Sequence, residues 1–538
     1  SLGMDYTRQR YAEERPWGFW YSQEGSREVD DISRRVMTVD YTGTWRTGLP
    51  LFRDQNLESV FSWGAQMYDN RRWGLNVNGE TFAGPGDKLV TSGANLDVWG
   101  EYNRTLTSGG FFFQEQIGWQ DKLFLTGGVR YDGFSTFGEG FDLAVYPKAQ
   151  LSYLVSDEAF WQENLPWWDS MKLRGAVGQS GKAPGAFDAE RVWEADPADE
   201  GQPGVIIANL GNPDLGPEVT TEYEGGFDAS FLDDRLGVEF TYYYQKTKDG
   251  LIAVAEVPSN GVAENQLRNV GEFKNTGIEL SANFEALRMD NFLWTVGGHF
   301  STNNSEVLDL GGLEDIYIGW RNRVRPCLDE DDPSTPRDDT KDCPLPAFYQ
   351  ERVANPDAVG EEPDMVFQYI GPTYPTHNYG INTSITLFER FRLDAMGEGA
   401  GGHYLSSGTA YQNVRRGEWP PCWEIQEKVE AGQTSDLTAY DLAKCTDQYT
   451  GYGMWAEPAD FFKIRNVSLS YRVPEEWLPA QARSLTLRAS GRNLWTFTDW
   501  PGLDPETHED GSGDTLYRQE YYNLPPVRTF IFSASVGF

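Results

Sequence analysis

The side chains of this sequence that could bind a metal ion or move a proton are one acidic run and four histidines. Hard cations such as Ca²⁺ bind several carboxylate oxygens, and the run offers four in succession: Asp329, Glu330, Asp331 and Asp332. The run lacks EF-hand spacing, so a solvated loop tip is the favoured interpretation. A calcium site in this loop is the alternative.

The histidines are widely spaced along the chain and share no catalytic motif. The sequence contains no HExxH or GxSxG pattern, and among 82 acidic residues no glycosidase-like carboxylate pair can be singled out. The four histidines are His299, His377, His403 and His508. The sequence therefore predicts no catalytic residue, no cofactor and no enzymatic activity.

The four cysteines form two local pairs in polar stretches rich in Pro and Asp. Cys327 is followed by Cys343, and Cys422 is followed by Cys445. Neither pair has CxxC spacing or a nearby histidine, which weighs against the alternative of a zinc site. We expect two loop disulfides formed in an oxidising compartment.

Charge and hydropathy exclude two classes of function or structure. Acidic residues outnumber basic ones 82 to 45, for a formal net charge of −37, whereas nucleic-acid binding needs a surplus of Lys and Arg. No segment approaches the roughly 20 apolar residues of a membrane helix. Strands that cross a membrane need only about 9 to 11 residues and expose one side to lipid, so average hydropathy does not reveal them.

Residues elsewhere alternate between apolar and polar with the period of two that is typical of strands. In 219–231 and 236–244 the apolar set includes Tyr223, Phe227 and Tyr242, and the short Asp233-Asp234 segment between them predicts a hairpin. Roughly fifteen such strands can be counted. The polar set is predicted to face a wet lumen, and its charged candidates are Arg130, Asp132, Lys148, Arg174, Glu222, Glu224, Asp228 and Arg488.

Short turns alternate with long connections, near 184–217, 309–373 and 409–457, that look structureless apart from a short helix within 434–445 capped by Thr434 or Ser435. This asymmetry is typical of a membrane barrel, whose long loops lie outside the cell. The sequence predicts an all-β fold: an antiparallel transmembrane β-barrel of about 14–16 strands over residues 1–538.

The last strand, VRTFIFSASVGF, ends the chain on an apolar face that includes Phe530, Phe532 and the terminal Phe538. A soluble protein rarely places such a face at a terminus, where chains normally fray. A final strand that ends in Phe resembles the signal by which outer-membrane barrels are recognised for assembly.

Four stretches resemble the SusC/RagA-like branch of TonB-dependent transporters. They are GNPDLGPEVTTEYEGGFDASFLDDRLGVEFTYYYQKTKDGLI (211–252), NVGEFKNTGIELSANFE (269–285), FFKIRNVSLSYRVP (461–474) and GRNLWTFTDWPGLDPE (491–506). The second matches an NxGxxxNxGxE pattern through Asn269, Gly271, Asn275, Gly277 and Glu279. The resemblance covers about 121–538, with Pro217 where the family often has Trp.

The resemblance implies the C-terminal portion of a 22-stranded outer-membrane barrel that imports glycan or peptide oligomers into a diderm bacterium. It also implies three components that this sequence does not show: a plug domain, TonB, and a SusD-like lipoprotein over the extracellular face. Two alternatives stay open, a barrel enzyme such as an outer-membrane protease or lipase, and a secreted β-sandwich adhesin that buries its apolar faces between sheets.

Overall fold

The structure is a computed structural model. It describes residues 1–19, 23–48, 57–86, 89–139, 143–197, 202–254, 265–313, 316–318, 322–324, 344–511 and 514–538. The acidic run at 329–332, Cys327 and Cys343 lie outside the described residues, so the calcium site and the first disulfide remain predictions. None of the described helices is long and apolar enough to cross a membrane.

Strands dominate the first three hundred residues. They are β1 (Leu2–Arg15), β2 (Ser26–Gly48), β3 (Leu57–Phe82), β4 (Gly93–Trp119), β5 (Leu123–Phe134), β6 (Ala144–Leu154), β7 (Trp168–Lys182), β8 (Val192–Pro197), β9 (Pro203–Asn209), β10 (Glu218–Phe231), β11 (Leu236–Val254), β12 (Gln266–Met289), β13 (Phe292–Thr302) and β14 (Asn304–Asp309).

The remaining strands are shorter on average. They are β15 (Ile316–Ile318), β16 (Asn322–Val324), β17 (Ala347–Val353), β18 (Met365–Pro372), β19 (His377–Leu387), β20 (Phe391–Gly401), β21 (Tyr404–Ser407), β22 (Ala456–Pro458), β23 (Phe461–Arg472), β24 (Ser484–Thr498), β25 (Glu509–Gly511), β26 (Asp514–Glu520) and β27 (Thr529–Gly537). The described residues also form four short helices, α1 between β6 and β7 and the others between β21 and β22: α1 (Ala159–Asn164), α2 (Gly408–Arg415), α3 (Trp423–Glu430) and α4 (Ala439–Cys445).

Sixteen of the described strands are nine or more residues long, the length that a tilted strand needs to cross a bilayer. The sequence predicted 14–16 of them. Asp233 and Asp234 form the predicted tight turn between β10 and β11, with φ values of 59° and 60° in the left-handed region that Asp tolerates better than most residues.

The chain divides into two compact units. Unit 1 comprises Ser1–Leu151, Val177–Thr221 and Thr247–Val270, and unit 2 comprises Ser152–Ala176, Glu222–Lys246 and Gly271–Phe538. In unit 1, β1 to β5 pair in chain order as antiparallel neighbours. In unit 2 the same meander runs through β12, β13, β19, β20, β23, β24 and β27.

The long strands of both units have one apolar face that is open to the surroundings. In unit 1 this face includes Leu2, Val39, Met67, Phe111 and Phe113, which are 76%, 42%, 50%, 41% and 44% exposed. In unit 2 it includes Tyr223, Tyr242, Ile381, Leu393, Leu469, Leu487 and Phe532, all exposed. A sandwich would bury such residues between its sheets, so this exposure contradicts the adhesin alternative.

The long connections of unit 2 are not structureless, contrary to the expectation from sequence. Residues 344–372 and 404–458 form what we call the loop domain, with β17, β18, β21, β22 and α2 to α4. Its hydrophobic core consists of Val353, Ala410, Val414, Cys422, Ala439, Ala443, Cys445, Met454 and Trp455. The predicted bond between Cys422 and Cys445 is present within this core, with a Cα separation of 5.2 Å.

The helix predicted within 434–445 is α4, but its predicted cap is wrong. Thr438, rather than Thr434 or Ser435, caps the helix by accepting a hydrogen bond from the Asp441 amide. The Asp441 carboxylate accepts one in return from the Thr438 amide. This is a capping box, in which an acidic residue lies three positions after the cap. Of the three candidate caps, only Thr438 has an acidic residue at that position.

Candidate functional site

A cavity of about 530 Å³ lies on the polar face of unit 1, between strands β4 to β7. Three of the residues predicted to face the lumen, Arg130, Asp132 and Lys148, line it together. Arg130 donates through Nε to both carboxylate oxygens of Asp132, at 2.9 and 2.7 Å, and through Nη2 to Gln66. Since this ion pair is internally neutral, Lys148 supplies the uncompensated charge of the cavity.

Two polar groups in the walls of this cavity have no partner among the described residues. Lys148 forms no salt bridge with any described residue, and the Tyr146 hydroxyl is buried without a hydrogen-bond partner in the described part of the chain. Gly110 allows Asp132 to pack closely, because a Cβ at 110 would lie 1.9 Å from Asp132 Oδ1. The cavity can therefore accept a small polar or anionic group.

A second group of predicted lumen residues meets in unit 2. Asp228 bridges two cations, with Lys172 Nζ 2.8 Å from its Oδ2 and Arg174 Nη2 2.7 Å from its Oδ1. Arg174 also donates to the Thr241 hydroxyl at 3.3 Å. Lys172 was noted in sequence only as part of the alternating pattern, yet it completes this cluster.

Thr241 also lines a polar cavity of about 300 Å³, together with Glu222, Glu224 and Glu279. Asn275 of the NxGxxxNxGxE stretch lines it too. Gly277 of the same stretch allows Tyr243 to approach, because a Cβ there would lie 2.5 Å from the Tyr243 hydroxyl. Arg488 joins neither cluster and instead donates to the Ser468 hydroxyl at 2.9 Å.

Comparison with known proteins identifies the family. A family model described as TonB dependent receptor-like, beta-barrel matches residues 1–494. The chain belongs to this family. An antiparallel transmembrane β-barrel fold is therefore confirmed, and members of such a barrel family are outer-membrane proteins.

Individual relatives of this TonB-dependent receptor barrel agree. TonB-dependent receptor P26 of Formosa agariphila is 27% identical over 467 residues, covering 80% of this chain and 46% of the relative. TonB-dependent receptor SusC of Bacteroides thetaiotaomicron is 23% identical over 203 residues, covering 36% of this chain and 20% of SusC. The chain thus spans less than half the length of these relatives.

The solved structure of the RagAB peptide transporter has the same fold. It superposes with a TM-score of 0.75 at 18% identity, and the match covers 100% of this chain and 59% of that chain. Together with the SusC match, this similarity confirms the resemblance to the SusC/RagA-like branch.

A buried ion cluster in this TonB-dependent receptor barrel joins two of the stretches that resemble the family, and sequence reasoning missed it. Lys463 of β23 places Nζ 2.5 Å from Asp504 Oδ1 and 2.5 Å from Glu506 Oε2. Arg465 bonds Glu506 and lies 2.5 Å from Glu398. The signal was available, because FFKIRN holds both cations and DWPGLDPE holds both anions of the loop.

The cluster also sets the charge of its loop carboxylate. Burial raises the pKa of Glu506, but hydrogen bonds from Arg465 and Lys463 outweigh burial and hold that pKa below its usual range. Glu506 therefore stays ionised, and the 499–508 segment is fixed to β23 by charge-assisted hydrogen bonds.

Two other histidines, His377 and His508, lie within electrostatic range of His403, although the sequence separates all three widely. His403 is 1% exposed, and burial, together with the charge of Arg518, lowers the pKa of His403 to about 4, partly opposed by Asp460. His377 and His508 contribute smaller repulsions. Because His403 is neutral and closed to solvent, it is a packed core residue and not a base that a substrate could contact.

Phe530, Phe532 and Phe538 are 63%, 81% and 81% exposed at the end of the chain. β27 pairs with β24 from Ser484–Gly537 to Arg492–Thr529. The exposure leaves these rings accessible to an assembly factor or to lipid, and their role as an assembly signal remains a prediction.

Two of the family-like stretches meet in unit 1 through a single amide. The Asn269 carbonyl accepts from the Gly216 amide at 2.9 Å, and its amino group donates to the carbonyls of Gly216 and Asp249 at 3.0 and 2.9 Å. Gln266 bonds the Gly211 carbonyl. The first asparagine of the NxGxxxNxGxE stretch thus holds the GNPDLG segment in place.

Replacing Asn269 by alanine is expected to weaken the 211–218 segment by about 1–3 kcal/mol, because the partly buried amide and carbonyl of Gly216 lose their partner. Hydrogen exchange followed by mass spectrometry should show amides in this segment exchanging roughly 10- to 100-fold faster. Asn103→Ala, which alters an exposed asparagine of β4 in the same unit, should leave that exchange unchanged. Equal exchange in wild type and Asn269→Ala would contradict the proposed role of Asn269 in fixing this segment.

Proposed function

We propose that this chain provides the membrane barrel of a TonB-dependent importer of nutrient oligomers, glycans or peptides, in the outer membrane of a diderm bacterium. The observation that carries the proposal is the division of each long strand into an exposed apolar face and a polar face that holds charge clusters. The apolar face meets hydrocarbon, and the polar face meets a wet lumen.

The polar clusters have a transport role in this proposal. Arg130, Asp132, Lys148, Arg174, Glu222, Glu224, Asp228 and Arg488 line the lumen, where they contact the plug domain or the cargo. The proposal includes no covalent step and no enzymatic activity.

The loop domain is the proposed seat of a SusD-like lipoprotein. It has its own hydrophobic core and a disulfide, so it presents a rigid surface instead of a mobile loop. TonB would act from the opposite side of the membrane. This chain is similar to SusC and to RagAB. RagAB is a peptide transporter, which supports peptide oligomers as one cargo class.

Deleting the gene of the whole protein should abolish accumulation of one class of labelled oligomer by intact cells. An uncoupler of the proton-motive force should stop accumulation in wild-type cells and leave surface binding intact, because TonB-dependent import needs energy and binding does not. Complementation with His299→Gln, His377→Gln, His403→Gln or His508→Gln should restore uptake wherever the protein is present in the membrane. Unchanged uptake after deletion, or hydrolysis of the oligomer by the purified protein, contradicts the proposal.

A further inference from the structure

Three arginines stand side by side on the polar face of unit 1. Arg34 of β2 is paired in register with Arg72 of β3, and Arg72 is paired with Arg104 of β4. Directly opposed residues in antiparallel strands have Cβ atoms about 4.5–5.5 Å apart. These residues, which we call the arginine row, therefore place three positive charges within about 10 Å.

The arginine row lies on the same face as the first cavity. Arg34 donates to Asn70 at 3.0 Å and to Tyr68 at 3.4 Å. Asn70 and Tyr68 alternate with Gln66 on β3, and Gln66 accepts from Arg130. No register shift interrupts β2 and β3 between these positions, so the row and the cavity share the polar face.

The row has no carboxylate partner among the described residues. Arg34 bonds only an amide and a hydroxyl, and the guanidinium carbons of Arg72 and Arg104 lie 5.4 and 5.5 Å from the centre of the Tyr102 ring. Within the described part of the chain, no salt bridge joins the row to the acids that flank it on this face: Asp30 accepts a hydrogen bond from Asn76, and Asp5 pairs with no described cation.

Like charges directly opposite one another destabilise a sheet. The chain is rich in carboxylates, with a formal net charge of −37, yet none of them pairs with the row among the described residues. Three arginines of the opposite face, Arg8, Arg35 and Arg71, do have such partners. Arg8 pairs with Asp31 at 2.5 Å, and Asp69 lies 3.2 Å from both Arg35 and Arg71. The unpaired row is therefore best explained by an anionic ligand that supplies the missing charge.

Position along the strand fits a ligand that enters from outside. On β2 the exposed apolar face runs from Trp45 to Val39, and Arg34 lies beyond it towards Ser26. At that end β3 and β4 are joined by residues 83–92, whereas residues 120–122 join β4 to β5 at the other end. Longer connections mark the extracellular side of a barrel, so the row lies at the extracellular mouth.

The surroundings of the row favour a peptide over a glycan. Ile32, Val36 and Leu106 occupy neighbouring positions on the same face, which suits apolar side chains between acidic ones. A sugar ring would need an open aromatic face to stack on, but Tyr102 packs on Gly74 and is covered by two arginines. We propose that the arginine row is a binding site for acidic peptides, through bidentate contacts of guanidinium with carboxylate.

This inference rests on the proposed function and names its cargo class. The test is calorimetric titration of the full-length protein in lipid nanodiscs with oligo-L-glutamate, oligo-L-glutamine and oligogalacturonate. Wild type should bind oligo-L-glutamate, less tightly at high salt, and should bind the other two more weakly. The triple variant Arg34→Gln, Arg72→Gln, Arg104→Gln should lose roughly 30-fold or more in affinity for oligo-L-glutamate.

The matched control is Arg8→Gln, Arg10→Gln, Arg71→Gln, which removes the same charge from the opposite face and should bind as wild type does. Equal losses in both triple variants would show a general charge effect and overturn the site. Tighter binding of oligogalacturonate than of oligo-L-glutamate, or no binding of oligo-L-glutamate by wild type, overturns the peptide assignment. Binding without uptake by cells contradicts the proposed importer and leaves the site standing, whereas uptake of acidic peptides that the triple variant does not alter refutes the site alone.

Discussion

Replacing Lys463 by methionine is expected to release the 499–508 segment from β23. The Lys463 and Asp504 side chains are 4% and 8% exposed, so the substitution leaves the Asp504 carboxylate facing an apolar side chain with little access to water. Removing one partner of a buried ion pair costs about 3–5 kcal/mol, because the remaining charge is uncompensated. Glu506 keeps Arg465, so the loss falls mainly on Asp504.

Hydrogen exchange measures this release directly. The Glu506 amide donates to Asp504 at 2.9 Å, and amides in 499–508 should exchange at least about 100-fold faster in Lys463→Met than in wild type. The matched control is Lys428→Met, which removes a half-exposed lysine that pairs with the exposed Asp436 at 3.1 Å. We expect no measurable change there, because exposed pairs are screened by water.

A second variant separates stranded charge from lost packing. In Lys463→Met with Asp504→Asn and Glu506→Gln, the neutral amides no longer need a cation, so much of the protection should return. If the triple variant is as unprotected as Lys463→Met, the loss comes from the shape of the lysine side chain. If Lys463→Met exchanges as slowly as wild type, the cluster does not hold the loop.

The strands could be predicted from sequence because apolar and polar residues alternate within each strand, according to the environment that each face meets. Ile381, Thr383 and Ile385 alternate with Asn382 and Ser384, and the structure places the two sets on opposite faces of β19. This pattern needs no knowledge of what lies elsewhere in the chain. The tight turn at Asp233-Asp234 is equally local.

The loop domain could not be predicted in this way, because its core is assembled from distant segments. Val353, Val414 and Trp455 come from a strand, a helix and a short turn more than a hundred residues apart at the extremes. Its helices have seven or eight residues, too few for a helical period to stand out. The ion cluster is similarly non-local. Lys463 of β23 and Asp504 of the 499–508 segment are in contact, but the whole of β24 separates them along the chain.

Positions in the candidate site were predicted in part. Alternation placed Arg130, Asp132 and Lys148 on one face, but only the structure brings them to a common cavity. The arginine row was not predicted at all, because a row across three strands depends on register. Register is set by pairing over the full length of β2, β3 and β4, and no local sequence feature reveals it.

Placing an arginine on the apolar face of β19 should destabilise the membrane-inserted protein, whereas the same change one residue away should not. Ile381 is 54% exposed on the apolar face, and its partners on both sides, Gly298 and Gly397, have no side chain that could shield a charge. Arginine at a lipid-facing position near the bilayer centre costs about 2–4 kcal/mol. Ile381→Arg should therefore lower the free energy of folding into lipid vesicles by roughly 2 kcal/mol or more.

Asn382→Arg is the matched control, because Asn382 is an exposed neighbour on the polar face. There the guanidinium meets water, and the free energy of folding should stay within error of wild type. Urea titration of folding into vesicles measures both variants, with the heat-dependent shift in gel mobility as the marker of the folded form. Equal destabilisation by the two substitutions, or a stable Ile381→Arg variant, would mean that the exposed apolar face does not meet hydrocarbon. The proposal of a membrane barrel would then be refuted, because it requires the apolar face of each long strand to contact lipid and the polar face to contact water.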